Sequence, residues 1–188
     1  MFSAFLSAVR NRLLEEVGDL NEDNCELRIR GMPPPWAGEE YVGLYATGWE
    51  PGELSRISDR AIDEIYSFAV TITRRIGFSP GDRRSGEIYY IVSDGMEARA
   101  RQITAAILKK RLEICGDANT RLQQITERGT ITNGLFVEPL RWQGTDAEPR
   151  EVGPEWFSAN PDDNRAYGFA LDIRFGDIRR IHNVSSME

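Results

Sequence analysis

Over the first seventeen residues, Phe2, Phe5, Leu6, Val9, Leu13, Leu14 and Val17 recur at steps of three and four, which predicts a helix with one apolar face that stops at Gly18. The period then changes. In "CELRIR", Cys25 to Arg30, Leu27 and Ile29 alternate with Glu26, Arg28 and Arg30, predicting a short strand with one wet face. "YVGLYATGW" is rich in β-branched and aromatic residues and predicts a second strand near Tyr41 to Trp49, weakened by Gly43 and Gly48. The stretch from Ser55 to Arg75 opens ambiguously, because "ISDRAIDEI" suits a helix start. Its second half settles on a strand: Tyr66, Phe68, Val70 and Ile72 alternate with Ser67, Ala69, Thr71 and Thr73, the pattern of a long, half-buried one.

Beyond a polar loop, "GFSPGDRRSG", Asp94 and Glu97 have the spacing of a capping box. They predict a helix that Met96, Ala100, Ile103, Ile107 and Ile114 carry to Gly116. The preceding "EIYYIVS" reads as further helical turns, and a shorter helix is expected from Thr120 to Glu127. "GTITNGLFVEPLRW" reads as a strand or hairpin. In "AYGFALDIRF", Tyr167, Phe169, Leu171, Ile173 and Phe175 share one face of a strand. Between these two lies a long polar stretch punctuated by prolines, read as a loop. Strands and helices do not alternate regularly, so the expected class is α+β: a mostly antiparallel sheet with helices on one face. One domain over 1–188 is expected, with extended segments near 31–40 and 143–166.

Composition narrows the function classes. Apolar residues make up 40% and charged residues 28% of the 188, as in ordinary globular chains, and no run approaches the ~18 apolar residues of a membrane span. The early charges Arg10, Arg12, Glu15 and Glu16 argue against a signal peptide. Cys25 and Cys115 are expected as reduced thiols. A formal net charge of −7 disfavours a DNA clamp, whose grip depends on cations, but suits a wall along which DNA slides without being held.

Candidate chemistry is sparse. The single histidine, His182, stands near the end of the chain, and no nucleophile elbow, zinc ligand set or phosphate-cradling glycine loop is written in the sequence. No catalytic, cofactor or metal residue is therefore expected. "NPDDN", Asn160 to Asn164, is better explained as a turn than as a calcium loop. Arg99, Arg101, Lys109, Lys110 and Arg111 stud the capped helix, where a solvated face is the simpler reading. Arg83 and Arg84, at a loop tip, take the same simpler reading, and the functional alternative for the whole set is a patch that meets an acidic partner surface.

The most unusual stretch is "RGMPPPWAGEEYVGLY". Three prolines make a stiff, polyproline-like bracket that presents Met32, Pro34 and Trp36 either to a partner or back onto the core. Trp142, Trp156 and Phe157, in or beside the long loop, pose the same choice. These eight residues, with Arg83 and Arg84 among them, are the candidate contact positions.

The order of these features resembles the tail-terminator and related neck proteins of tailed bacteriophages. The likeness rests on the helix "FSAFLSAVRNRLLEEV", a short strand, the link "MPPPWAGEEY", a strand, the long "YSFAVTITRR" strand, a helical segment and closing strands ending in "YGFALDIRF". The chain is longer than the compact members in the Ser55–Asp63 and Gln143–Arg165 stretches. The resemblance implies a virion subunit, assembled in the host cytoplasm, of a ring that is commonly a hexamer. Such a ring joins the tail tube to head-connector or neck proteins, with DNA passing through its lumen, and has no cofactor and no membrane association. The alternatives are another head-tail connector or stopper subunit and, from other classes, a small enzyme with an acidic site and a monomeric adaptor that binds through Trp36.

Overall fold

The computed structural model describes residues 2–28, 32–34, 37–52, 61–76, 85–109, 135–137, 141–157 and 167–183. Helix α1 spans Phe2–Glu16, and strands β1, β2 and β3 span Cys25–Leu27, Glu40–Pro51 and Ala61–Ile76. Helix α2 follows at Ser85–Lys109. Strands β4 (Leu135–Val137), β5 (Arg141–Thr145) and β6 (Arg150–Val152), the single turn α3 (Pro154–Phe157) and strand β7 (Tyr167–Asn183) complete the fold. The class is α+β, as the pattern predicts.

Seven strands make one sheet in the order β1-β2-β3-β7, and β4, β5 and β6 all pair with the far edge of β7. They do so in succession, against residues 179–181, 173–176 and 168–170 of β7. Together they form one interrupted edge strand. Every pairing is antiparallel except β1 with β2.

The apolar stripe of α1 does what its spacing predicts: Phe5, Leu6, Val9, Leu13 and Val17 are buried. They meet Val42 and Leu44 of β2, Phe68, Val70 and Ile72 of β3, and Phe169, Leu171, Ile173 and Phe175 of β7 in one cluster. At its centre Phe68 stacks on Phe175 at 4.9 Å and takes Phe5 edge-on at 5.9 Å, both favoured aromatic geometries.

Helix α2 takes in "EIYYIVS", as the reading of further helical turns expects, and begins at Ser85, so the capping-box pair does not mark its start and Asp94 is an exposed residue in its middle; the expected run to Ile114 and Gly116 lies outside the described residues. The reason is periodic. Tyr89, Val92, Met96, Ala100, Ile103 and Ile107 continue the stripe backward across Asp94, and all contribute to the core. A Cβ at Gly95 would stand 2.6 Å from Arg74 Nη1, the end of a flexible side chain that can move aside. The helix expected at Thr120 to Glu127 lies outside the described residues.

Two further expectations are corrected. Strand β3 is not half-buried at its centre, because Ala69, Thr71 and Thr73 on its second face are as buried as Phe68, Val70 and Ile72 on the first. Part of the cover there is α3, whose Phe157 packs with Val152 and Ala170. The stretch read as a long loop after Trp142 instead holds most of β5, all of β6 and α3, because β7 offers it a free edge to pair with.

Three register shifts lie at one level across the sheet. Thr47 is the extra residue between Ala46 and Gly48, β7 is shifted where β3 passes from Tyr66 to Phe68, and Gln143 is extra between Trp142 and Gly144. Such bulges bend a sheet. Here they divide it into a half covered by helices and a half in which β2, from Ala46 to Pro51, is exposed at every residue.

Candidate functional site

The exposed half of β2 is the first candidate surface. The bulge at Thr47 turns the alternation so that Trp49 pairs with Tyr66 on the helix side of the sheet, while Glu50 pairs with Ile65 on the second face. Trp49 is 70% exposed, yet its ring is oriented, because Nε1 donates to Glu64 Oε1 at 3.1 Å. Tyr66 Oη donates to the other oxygen of the same carboxylate at 2.8 Å. β1 pairs only with Val42 to Leu44, so from Tyr45 onward the outer edge of β2 has no strand partner among the described residues.

A groove runs along the flank of α2 beneath β5. Two helices do not cover a sheet five strands wide, since a helix spans about 10 Å and a strand about 4.8 Å. The uncovered strip encloses about 720 Å³ between Ala100, Thr104 and Leu108 of α2 and Trp142 and Thr145 of β5, with Leu171 below. Trp142 is 52% exposed at its lip.

The second face carries a polar cluster where β7 meets the interrupted edge. Asp172, nearly buried, accepts from Thr71 Oγ1 at 2.6 Å and from Arg150 Nη1 at 2.8 Å. Asp146 pairs with Arg174 and lies 3.4 Å from Arg150, whose guanidinium lies over the Trp156 ring at 5.2 Å. Burial first, and then the nearby Asp172 carboxylate, hold the Tyr45 phenol above its usual pKa. Each carboxylate in this cluster is engaged by a cation, the arrangement of a structural clasp rather than of a poised acid and base.

A second ion-pair chain ties α2 to the sheet edge and to the turn after α1. Arg99 donates to Glu40 Oε1 at 2.7 Å and to Asp19 Oδ1 at 2.8 Å, and Arg74 holds the other Glu40 oxygen at 2.7 Å. Arg99 is therefore not part of a solvated face. Its side chain is only 11% exposed. Arg101, by contrast, pairs with Glu97 at the surface.

The expected contact residues are scattered. Met32 is half-buried, and its carbonyl accepts from Arg28 Nε at 3.2 Å, which folds the bracket back toward β1. Pro34 is buried and accepts from the Ala37 amide. Trp142 is at the groove, Trp156 is stacked on Arg150, and Phe157 is buried beneath the Arg75 guanidinium. Trp36, Arg83, Arg84 and Asn160 to Asn164 lie outside the described residues. His182 is not in a tail: its backbone pairs with Ile62 inside the sheet. Among the described residues, the exposed large apolar side chains besides Trp142 are Trp49, Tyr90 and Ile91, none of which the sequence reading selects.

Cys25 is buried and unbridged, and loss of solvent pushes its thiol pKa up to about 12. No helix among the described residues is long and apolar enough to cross a membrane. The sequence matches no protein-family model and no curated protein.

Proposed function

We propose that the protein is a non-enzymatic structural subunit of a bacteriophage neck or tail. In this reading it is a tail-terminator-like component that joins copies of itself into a ring, a hexamer, between tail tube and head connector. The observation that carries the proposal is the open half of the sheet: an oriented, exposed Trp49 on a strand edge with no described partner, opposite a second edge that borders an apolar groove. Monomeric proteins normally cover or blunt such edges, and aromatic side chains are enriched where interfaces are strongest. A contact between two different surfaces is heterologous, the kind that closes into rings.

The order of elements supports the same reading: an amphipathic helix, a short strand, a proline link, two long paired strands, a helix and closing strands. A net charge of −7 suits a channel through which DNA passes without being gripped.

Native mass measured by light scattering over a wide concentration range, with electron micrographs of the same samples, tests the proposal. Closed rings with a central hole are expected. A protein that stays monomeric at its highest concentration and forms no rings would count against it.

A further inference from the structure

The edge formed by β5, the turn after it and β6 is fastened to the sheet differently from the strands beside it. From Arg141 to Glu151 only Pro149 is buried, and the next apolar anchors, Val152 and Phe157, belong to the small cluster on the second face rather than to the main core. Its pairing with β7 comes in two short runs, the first broken by the bulge between Trp142 and Gly144, where Gly144 takes a positive φ of 126°. β3, on the other side of β7, pairs along its length with one bulge. On the helix side the edge borders the groove: Trp142, Thr145, Ala147 and Pro149 line it, so space stands where a core strand has packed side chains.

What fastens this edge is mostly charge. Asp146 accepts from the guanidinium groups of Arg174 and Arg150, Arg150 reaches on to Asp172 and over the Trp156 ring, and the Asp146 amide donates to the Asp172 carbonyl at 3.0 Å. The turn meets α2 through Tyr89 Oη, which donates to Glu148 Oε2 at a long 3.4 Å. Both cations are accessible, Arg174 at 54% and Arg150 at 41%. Salt therefore weakens their pairs, since the screening length falls from about 10 Å at 0.1 M to about 3 Å at 1 M. Release strands no charge: Asp146 and Arg150 pass into water, and Asp172 keeps its bond from Thr71 Oγ1.

We infer that Arg141 to Glu151 is a strap, hinged at Val152 and fastened by the Asp146 and Arg150 ion pairs, which leaves β7 by local opening while the rest of the sheet stays folded. Opening unroofs the groove and uncovers the edge of β7 from Phe169 to Gly176, so an apolar surface and a strand edge are presented together only in the open form. The inference does not rest on ring assembly.

Hydrogen exchange of the full-length protein at pH 7 without denaturant tests it, with strap and β3 amides followed in the same samples at about 0.05 M and about 1 M NaCl. Strap amides, that of Asp146 among them, are expected to exchange at least roughly ten-fold faster than those of β3, and about three-fold faster again at the higher salt. Asp146→Asn keeps the shape of the side chain and removes the charge that two arginines share. It is expected to raise strap exchange at low salt to the wild-type rate at high salt and to leave β3 unchanged. Strap amides as protected as those of β3 would overturn the inference, because the edge then opens only with the whole sheet. Fast strap exchange that neither salt nor Asp146→Asn alters would overturn it as well, because ion pairs would not be what fastens the strap.

Discussion

Arg99 ties α2 to two other parts of the fold. Its guanidinium is almost wholly withdrawn from solvent and bridges Glu40 at the start of β2 and Asp19 after α1. Removing it leaves Glu40 to Arg74 alone and frees the turn that holds α1. Arg99→Ala should therefore cost about 2 kcal/mol at neutral pH, in the range for lost charge-assisted hydrogen bonds at a mostly buried site. The hydrogen bond from Arg99 is the main cause that lowers the Asp19 pKa. A depressed carboxylate pKa stabilises the fold above its unfolded value and loses that contribution as pH falls through the folded value. Urea midpoints measured from pH 7 to pH 3 should thus show the wild type and the variant converging below about pH 4. A constant gap down to pH 3 would remove Asp19 from this account. The sequence could not reveal this role, because it places Arg99 among helix cations whose default is solvent, while its partners lie 59 and 80 residues away. Trp49 escaped for a different reason. In the sequence it is an ordinary strand residue, and the bulge that decides which face it takes is a property of pairing rather than of composition.

At the scale of elements, the sheet depends on close approach as much as on apolar area. A Cβ on Gly168 would run into the Arg74 carbonyl oxygen and come within 2.8 Å of the Phe157 ring, so β3, β7 and α3 meet there only because the side chain is absent. Gly168→Ala should cost on the order of 3 kcal/mol by forcing apart packed backbone. Gly18→Ala, whose Cβ would meet nothing within 4 Å, should stay within about 0.5 kcal/mol. Equal thermal shifts for the two would refute the packing argument. Elements were legible where one periodicity acted alone: α1, β3 and β7 follow their apolar spacing. They were misread where two signals competed. Asp94 and Glu97 imitate a helix start inside α2, where the longer apolar stripe wins. The polar, proline-rich stretch after Trp142 gave no strand signal, because β5 and β6 are two short edge segments whose outward residues are exposed and whose pairing is set by β7. The contact surfaces were legible only as an aromatic-rich, chemistry-poor chain. Which aromatics reach solvent depends on the sheet outgrowing its two helices, and that is decided by the assembled layers.

For the whole molecule, burial of weak acids sets the alkaline limit of stability. Desolvation raises the Cys25 thiol to about 12, and desolvation with a hydrogen bond to Glu151 raises the Tyr167 phenol to about 12. Tyr41, buried and donating to Glu26 Oε2 at 3.0 Å, is raised as well. For a raised pKa the sign is the reverse of the Asp19 case: the contribution is fully present below the unfolded value and is lost as pH rises toward the folded one. The unfolded thiol ionises first, near 9.0, and the phenols near 10.0. From about pH 9 upward, ionisation of the thiol in the unfolded chain lowers stability by roughly 1.4 kcal/mol per pH unit, buried Tyr41 adds to the slope above its unfolded value, and the more solvent-screened Tyr167 adds less. Urea unfolding should therefore show a midpoint steady from pH 7 to 8.5 that falls steeply above 9. Cys25→Ala should be less stable at pH 7, because it leaves a small cavity, but should fall less steeply between pH 9 and 10. In a Cys115→Ser chain at pH 8, a thiol reagent should label Cys25 only as fast as the protein unfolds globally. Labelling in seconds without denaturant would mean that the sheet edge at β1 opens independently, and the alkaline limb would then report local rather than global unfolding.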